Sequence, residues 1–136
     1  MTHSYLVARL NRAGIPFEKS AMHPTQHWAH TSTHSVRWFA SAPTDHVTPY
    51  VLGKNQEDDM MTDYFPGSFC DSWDDVVSYA CEGDPRYVAV YVAIMEKRRA
   101  RWEARCTRHG WAANDNYYGN RIAEAKALVA SPAVTA

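Results

Sequence analysis

Residues 84–110, DPRYVAVYVAIMEKRRARWEARCTRHG, decide the fold of this chain because they predict one long helix. An aspartate followed by a proline is a strong helix start, since the carboxylate caps free backbone N–H groups and proline suits the first helical position. Gly110 can take the left-handed backbone that ends a helix. A helix from Pro85 to His109 would be about 37 Å long at 1.5 Å per residue. That length is large for a chain of 136 residues.

The two halves of this predicted helix differ in chemistry. Residues 87–95 are apolar nearly all round, which predicts burial. The following residues carry arginines at spacings of three and four, which lie on one helix face: Arg98, Arg101, Arg105 and Arg108. Trp102 lies about a quarter-turn away. Guanidinium groups grip phosphate and an aromatic ring can stack on a base, so this face predicts a nucleic-acid contact. The alternatives are a solvated helix end, whose charge suits the helix C-terminus, and a homodimer contact through the long helix.

The segment before this helix carries the opposite charge. Residues 55–85 contain nine carboxylates and no Lys or Arg, although the formal net charge of the whole chain is −1. Closely spaced carboxylates can imitate the phosphates of nucleic acid and occupy the basic groove of a partner protein. The binding residues predicted on this side are Glu57, Asp58, Asp59, Asp63, Asp74 and Asp75. The alternatives are a solubilising surface, internal pairing with the arginines, or a divalent-cation site at residues 57–59, which lacks the EF-hand spacing.

Three further helices are predicted from their end signals. Ser4 can cap a first helix that ends at Gly14. Ser72 begins a capping box for a compact helix that ends by Gly83. The last helix covers about residues 117–129, and its apolar stripe consists of Ile122, Ala125 and Val129.

Extended segments are predicted at residues 15–22, 34–41 and 47–52. The second has alternating side chains typical of a strand. The third contains Pro49, which cannot donate to a sheet ladder and therefore predicts an edge strand. Together with the helices, these segments predict an α+β fold in which an antiparallel β-meander of about three strands packs with about four helices, one of them long.

Composition and length limit the class of protein. Apolar residues make up 46% of the chain, so we expect a single globular domain over residues 1–130, with a disordered tail at 131–136. Three cysteines without paired spacing favour reduced thiols and a cytoplasmic location: Cys70, Cys81 and Cys106. No stretch approaches the roughly 20 apolar residues that a membrane span needs, so a membrane partner is not expected.

Four of the seven histidines fall within twelve residues: His23, His27, His30 and His34. On a helix, this spacing would place all four on one face, which suits a transition metal. Pro24 and the run at residues 31–33 oppose a helix, and along a single strand at most two of the rings could meet one ion. Asp45 and His46 could approach from the next strand. A metal ion at this group is therefore one alternative, and a polar strand-and-loop surface is the other.

The sequence contains no motif that names a reaction. It has no Gly-x-Ser-x-Gly elbow, no glycine loop that cradles phosphate and no zinc-deaminase pattern. We therefore expect a small non-enzymatic intracellular protein that docks by charge complementarity on a protein or nucleoprotein machine with a basic surface. Bacteriophages and other mobile elements encode inhibitors of this kind against restriction and CRISPR systems. Direct nucleic-acid binding is a second mode. The alternative function is a metal-dependent hydrolase or nuclease built on the histidine group with Asp45 and His46.

Overall fold

A computed structural model of the protein describes residues 1–54, 67–113 and 116–130. These residues form two compact units, one within Met1–Cys81 and the other within Glu82–Ala136. In the described part, the first unit contains a sheet and two helices, and the second contains two more helices. The fold is therefore mixed α+β, as predicted, with one long helix. The single domain over residues 1–130 stays a prediction, and the predicted tail at 131–136 lies outside the described residues.

A five-stranded antiparallel meander forms the described sheet, with the strands in chain order. The strands are β1 (Phe17–Lys19), β2 (Gln26–His30), β3 (His34–Phe39), β4 (Tyr50–Gly53) and β5 (Gly67–Phe69). The predicted number of about three strands is wrong because β2 and β5 were missed. β2 is rich in polar and aromatic residues, and β5 has only three residues and begins with glycine. Neither shows the alternation of apolar and polar side chains that reveals a strand in a sequence.

β4 lies inside the sheet, between β3 and β5, so the edge position predicted from Pro49 is wrong. A proline is excluded from an interior strand only where its missing N–H would be needed. Pro49 precedes Tyr50, the first paired residue of β4, and therefore removes no donor from the ladder. Its carbonyl still accepts a hydrogen bond from the Cys70 backbone N–H at 2.8 Å.

The first helix, α1 (His3–Ala13), begins two residues earlier than Ser4 predicted. Thr2 is the cap, and its hydroxyl accepts from the Tyr5 backbone N–H at 3.2 Å. Gly14 ends the helix with a φ of 73°, as predicted from the conformational freedom of glycine. The side chains that α1 buries completely are Leu6 and Leu10.

The second helix, α2 (Trp73–Ala80), has the predicted start. The Ser72 hydroxyl accepts from the Asp75 backbone N–H at 3.2 Å. At the other end, the Thr31 hydroxyl donates to the Ala80 carbonyl at 2.7 Å, and both residues are buried. This bond satisfies one of the carbonyl groups that every helix leaves free at its C-terminus. It also ties α2 to the turn that follows β2.

The long helix of the second unit begins and ends where the sequence predicts. Asp84 caps a single 3₁₀ turn (Pro85–Tyr87), accepting from the Arg86 backbone N–H at 2.9 Å. The turn leads directly into α3 (Val88–His109), which ends at Gly110 with a φ of 69°. The Asp84 carboxylate is fully buried and pairs with the Arg86 guanidinium at 3.0 Å, which raises the pKa of that guanidinium.

The apolar half of α3 is less buried than its composition predicts. Tyr91 and Met95 are buried, but Ala89 and Ala93 are exposed, so the prediction of burial all round is wrong. The final helix, α4 (Tyr117–Ala130), packs along α3 and buries two members of its predicted stripe, Ile122 and Ala125. The third member, Val129, is 60% exposed because it lies in the last turn of α4, beyond the buried positions. None of the described helices is long and apolar enough to cross a membrane.

Candidate anion-binding site

A cavity of about 220 Å³ opens beside the basic half of α3. Its walls consist of four residues from α3 and one from α4: Arg98, Arg101, Trp102, Arg105 and Tyr118. We call this cavity the arginine pocket. The α3 residues come together because positions three and four apart lie on the same helix face. Four of the five side chains predicted for this face therefore line one pocket.

The arginine pocket is strongly cationic. Within the described residues, its walls contain three guanidinium groups and no carboxylate. The nearest carboxylate along α3 belongs to Glu103, which pairs with Arg99 at 3.2 Å on a neighbouring face of the helix. Guanidinium groups present several N–H donors in a planar fork that matches phosphate and carboxylate oxygens. The pocket is thus suited to an anion with more than one acceptor oxygen.

Aromatic rings extend the site beyond the pocket. Trp111 is 50% exposed, and its ring lies flat against His109, with the centroids 4.5 Å apart and the planes 17° apart. We call this pair of rings the aromatic shelf. The Arg105 guanidinium lies 5.9 Å from the centroid of the Trp111 ring. The centroids of the Trp102 and Trp111 rings are 6.4 Å apart. Arg105 therefore belongs to the pocket and also contacts the shelf.

The turn after α3 explains why Trp111 lies beside the pocket. Gly110 takes the left-handed conformation, and the Trp111 backbone N–H then donates to the Cys106 carbonyl at 2.8 Å. This is the usual way in which a glycine folds the chain back over the last helical turn. Sequence reasoning identified Gly110 as the end of the helix but missed Trp111, His109 and Tyr118 as site residues. The available signal was a helix-ending glycine followed at once by a tryptophan.

One polar atom beside the pocket is buried without a hydrogen-bond partner among the described residues, the Nε1 of Trp102. Burying a donor without an acceptor costs about 1–3 kcal/mol. An acceptor oxygen that reached this N–H would reduce that cost.

Arg108 is exposed in the last turn of α3 and does not line the pocket. Its charge complements the negative end of the helix dipole at that position. Of the predicted arginine face, it is the one member that the structure leaves outside the cavity.

The four clustered histidines do not share one strand. β2 and β3 form a hairpin around residues 31–33, and His27 is directly opposite Trp38 while His30 is directly opposite Ser35. Residues directly opposite each other project to the same side of a sheet, so His27 and His34 share one face and His30 projects to the other. The hairpin is a turn between His30 and His34, so the four histidines do not follow one continuous strand.

Each histidine has its own surroundings. His27 stacks on Trp38 with centroids 5.6 Å apart, and burial followed by the nearby charge of His3 lowers its pKa. His30 is 3.0 Å from the Ser35 hydroxyl, His34 is 2.8 Å from the Thr33 hydroxyl, and His23 is exposed before β2. Among residues 1–54, 67–113 and 116–130, no three His, Cys, Asp or Glu side chains are arranged to hold a metal ion. The structure therefore does not bring the four histidines into one ligand set.

The ring next to His27 is also a poor metal ligand. The Trp38 indole N–H donates to Nδ1 of His3 at 2.9 Å. An indole is only a donor, so a neutral His3 keeps its proton on Nε2 and has no lone pair left for a metal. Asp45 accepts three hydrogen bonds from Ser41 and Ala42, which lower its pKa and occupy its Oδ2. His46, the last residue of the predicted group, lies 3.2 Å from the amino group of Met1.

The acidic residues predicted for docking are only partly described. Glu57, Asp58, Asp59 and Asp63 lie outside the described residues. Asp74 and Asp75 are half-buried in the first turn of α2, where negative charge complements the helix dipole. Both carboxylates therefore stabilise the start of α2.

Comparison of the chain with protein-family models, with curated proteins and with solved structures finds no match. The function of the protein is therefore inferred from the geometry and chemistry of the site itself.

Proposed function

We propose that this protein is a small non-enzymatic binding protein that docks by charge complementarity on a nucleoprotein, with its arginine pocket on the nucleic-acid backbone. The observation that carries the proposal is the convergence of Arg98, Arg101 and Arg105 on one cavity beside the Trp102 and Tyr118 rings. Direct nucleic-acid contact was one of the modes expected from the sequence, and it is the mode that this geometry favours.

Phosphate fits the pocket for a chemical reason. Arginine binds phosphate through paired N–H donors, and such charge-assisted bonds are about twice as strong as neutral ones. Arg98 and Arg105 are seven residues apart on α3, a rise of about 10 Å along the helix axis. A row of cations of that length suits a polyanion better than a single small anion.

The chemistry of the pocket walls favours binding over acid–base catalysis. Guanidinium groups stay charged and exchange no proton near neutral pH. They hold and orient an anion, and the Trp102 and Tyr118 rings supply apolar contact beside it. The preference for a binding protein over the metal-dependent enzyme follows from these groups and from the separate surroundings of the histidines.

The test is a binding titration with a charge-reversed variant. The triple variant Arg98→Glu, Arg101→Glu, Arg105→Glu should lose binding of a labelled oligonucleotide, measured by fluorescence anisotropy at low salt. The control is Arg99→Glu, which makes the same change at a residue that already pairs with Glu103. It should bind like the wild type. Circular dichroism checks that each variant keeps its helices.

Three results would refute the proposal. The first is that the wild type binds no nucleic acid at low salt. The second is that the triple variant binds as well as the wild type. The third is that the wild type binds polyglutamate but not the oligonucleotide, which would assign the pocket to an acidic protein.

The acidic side of the chain stays a separate proposal for docking on a basic partner. Asp74 and Asp75 are the members that the structure describes, and both also serve the start of α2. Asp74→Asn with Asp75→Asn should therefore be examined for thermal stability as well as for association. A change in stability alone would leave these two residues a structural role only.

A further inference from the structure

We infer that the site takes single-stranded rather than double-stranded nucleic acid, with an unpaired base on the aromatic shelf and the adjoining backbone in the arginine pocket. This inference rests on the proposed function and names the form of the polyanion. Guanidinium groups alone do not distinguish single strands from duplex, because both present phosphates. The shelf adds a contact that only an unpaired base can make.

The exposure of Trp111 is the first observation behind the inference. Among the five tryptophans, Trp38 and Trp73 are buried and Trp28 and Trp102 are partly covered, whereas Trp111 is 50% exposed. An indole left in water does not gain the free energy that burial of its apolar surface would provide, and a partner that covers the ring would provide it. Bases inside a duplex are already stacked on each other and cannot offer their faces. A splayed base of a single strand can.

The shelf is already a stacked pair of flat rings. The exposed His109 imidazole lies against the Trp111 indole, with centroids 4.5 Å apart and nearly parallel planes. A nucleobase has the same flat π-face and extends this stack. Because stacking uses the face and not the edge of a base, we expect binding to tolerate many sequences.

Arg105 connects the two parts of the site. Its guanidinium lines the pocket and also lies 5.9 Å from the centre of the Trp111 ring. In a nucleotide, the phosphate and the base are joined through one sugar, so a cation beside a stacking ring matches the two ends of a single nucleotide. This pairing of arginine with an exposed aromatic is typical of proteins that bind single strands.

The experiment compares Trp111→Ala with Trp111→Phe on two ligands, a mixed-sequence single strand of about 12 nucleotides and the blunt-ended duplex of the same sequence. Trp111→Ala should weaken binding of the single strand by about 5-fold to 150-fold, the range measured when one stacking aromatic is removed. Trp111→Phe keeps a flat ring and should retain most of the affinity. Neither variant should change duplex binding by more than about twofold.

Tryptophan fluorescence gives a second readout on the same protein. Acrylamide quenches exposed indoles, and Trp111 is the most exposed one. The single strand should protect the wild-type fluorescence from acrylamide, and this protection should be smaller in Trp111→Ala, which leaves only the partly covered Trp102 beside the bound strand. Circular dichroism confirms the helices of the variant, whose substituted side chain lies after the end of α3.

The outcomes separate the inference from the proposed function. If the arginine reversal abolishes binding but Trp111→Ala binds the single strand like the wild type, the inference is wrong and the proposed function stands. The inference also fails if the wild type prefers the duplex. If the wild type binds neither ligand, the proposed function itself fails.

Discussion

Replacement of the pocket arginines by glutamine should change how steeply nucleic-acid binding depends on salt. Each phosphate that a protein neutralises on a single strand contributes about −0.7 to the slope of log K against log salt concentration, because counterions are released. Three guanidinium groups line the pocket. If each meets one phosphate, the wild-type slope should be about −2, and the affinity should fall about 20-fold between about 50 and 200 mM salt.

The substituted proteins give a graded series. A single Arg98→Gln, Arg101→Gln or Arg105→Gln change should reduce the slope to about −1.4, and the triple change should bring it close to zero. The matched control is Arg99→Gln on the same helix. Its guanidinium pairs with Glu103 and does not line the pocket, so the slope should stay near the wild-type value.

The assay is anisotropy of a labelled single strand, titrated at four or more salt concentrations and constant pH. The slope is more informative than the affinity at one salt concentration, because a partly unfolded variant loses affinity but keeps the slope of its folded fraction. The reasoning is refuted if the triple variant keeps a slope near −2, or if Arg99→Gln lowers the slope as much as a pocket substitution does.

Three further predictions concern the fold. Burial, then the charges of nearby groups, lowers the pKa of His27 below its ordinary value of 6.5, so the folded chain takes up this proton less readily than the unfolded chain. The stability that the neutral His27 ring contributes is therefore full above pH 6.5 and is lost as the pH falls through the lowered pKa of the folded chain. The free energy of unfolding, measured with urea at pH 7.5 and at pH 5.5, should fall less between these pH values in His27→Gln than in the wild type. Thr31→Val keeps the shape of the side chain but removes the hydroxyl that donates to the buried Ala80 carbonyl. It should lower the free energy of unfolding, measured with urea, by about 1–3 kcal/mol. Thr31→Ser keeps the hydroxyl and should lower it by less. Asp84→Ala removes the cap before α3 and should lower the free energy of unfolding by about 0.5–2 kcal/mol, which a lower thermal midpoint would show. Asp84→Asn should keep more of the stability, because its amide oxygen can still accept a hydrogen bond from the Arg86 backbone N–H. An unchanged midpoint in Asp84→Ala, equal losses in both Thr31 variants, or equal pH shifts with and without His27 would each contradict its prediction.

The long helix shows what local signals can fix. The aspartate cap, the proline after it and the glycine at the end act within one or two turns, so α3 begins and ends where the sequence predicts. The arginine face follows from the same regularity, because helical periodicity converts a spacing of three or four residues into neighbours on a surface. Three of the four predicted arginines line the pocket for this reason.

The histidine cluster shows where a sequence pattern misleads. Spacing in the chain gives neighbours in space only while one regular element continues. The hairpin between β2 and β3 reverses the chain at residues 31–33 and places His30 and His34 on opposite faces of the sheet, although their spacing of four would put them on one face of a continuous strand. That hairpin is hard to foresee because β2 lacks an alternating pattern.

The sequence by itself therefore determined the helix that carries the cations, the ends of that helix and the side on which the cations lie, because capping and helical periodicity act over a few residues. The turn at Gly110 that brings Trp111 beside Arg105 is also local, because its backbone hydrogen bond joins Trp111 to Cys106. Only the tertiary structure decided that Tyr118 lines the pocket from α4, since that contact depends on how α4 packs along α3. Contacts between separate segments are set by packing of the whole unit, and no spacing within the sequence encodes them.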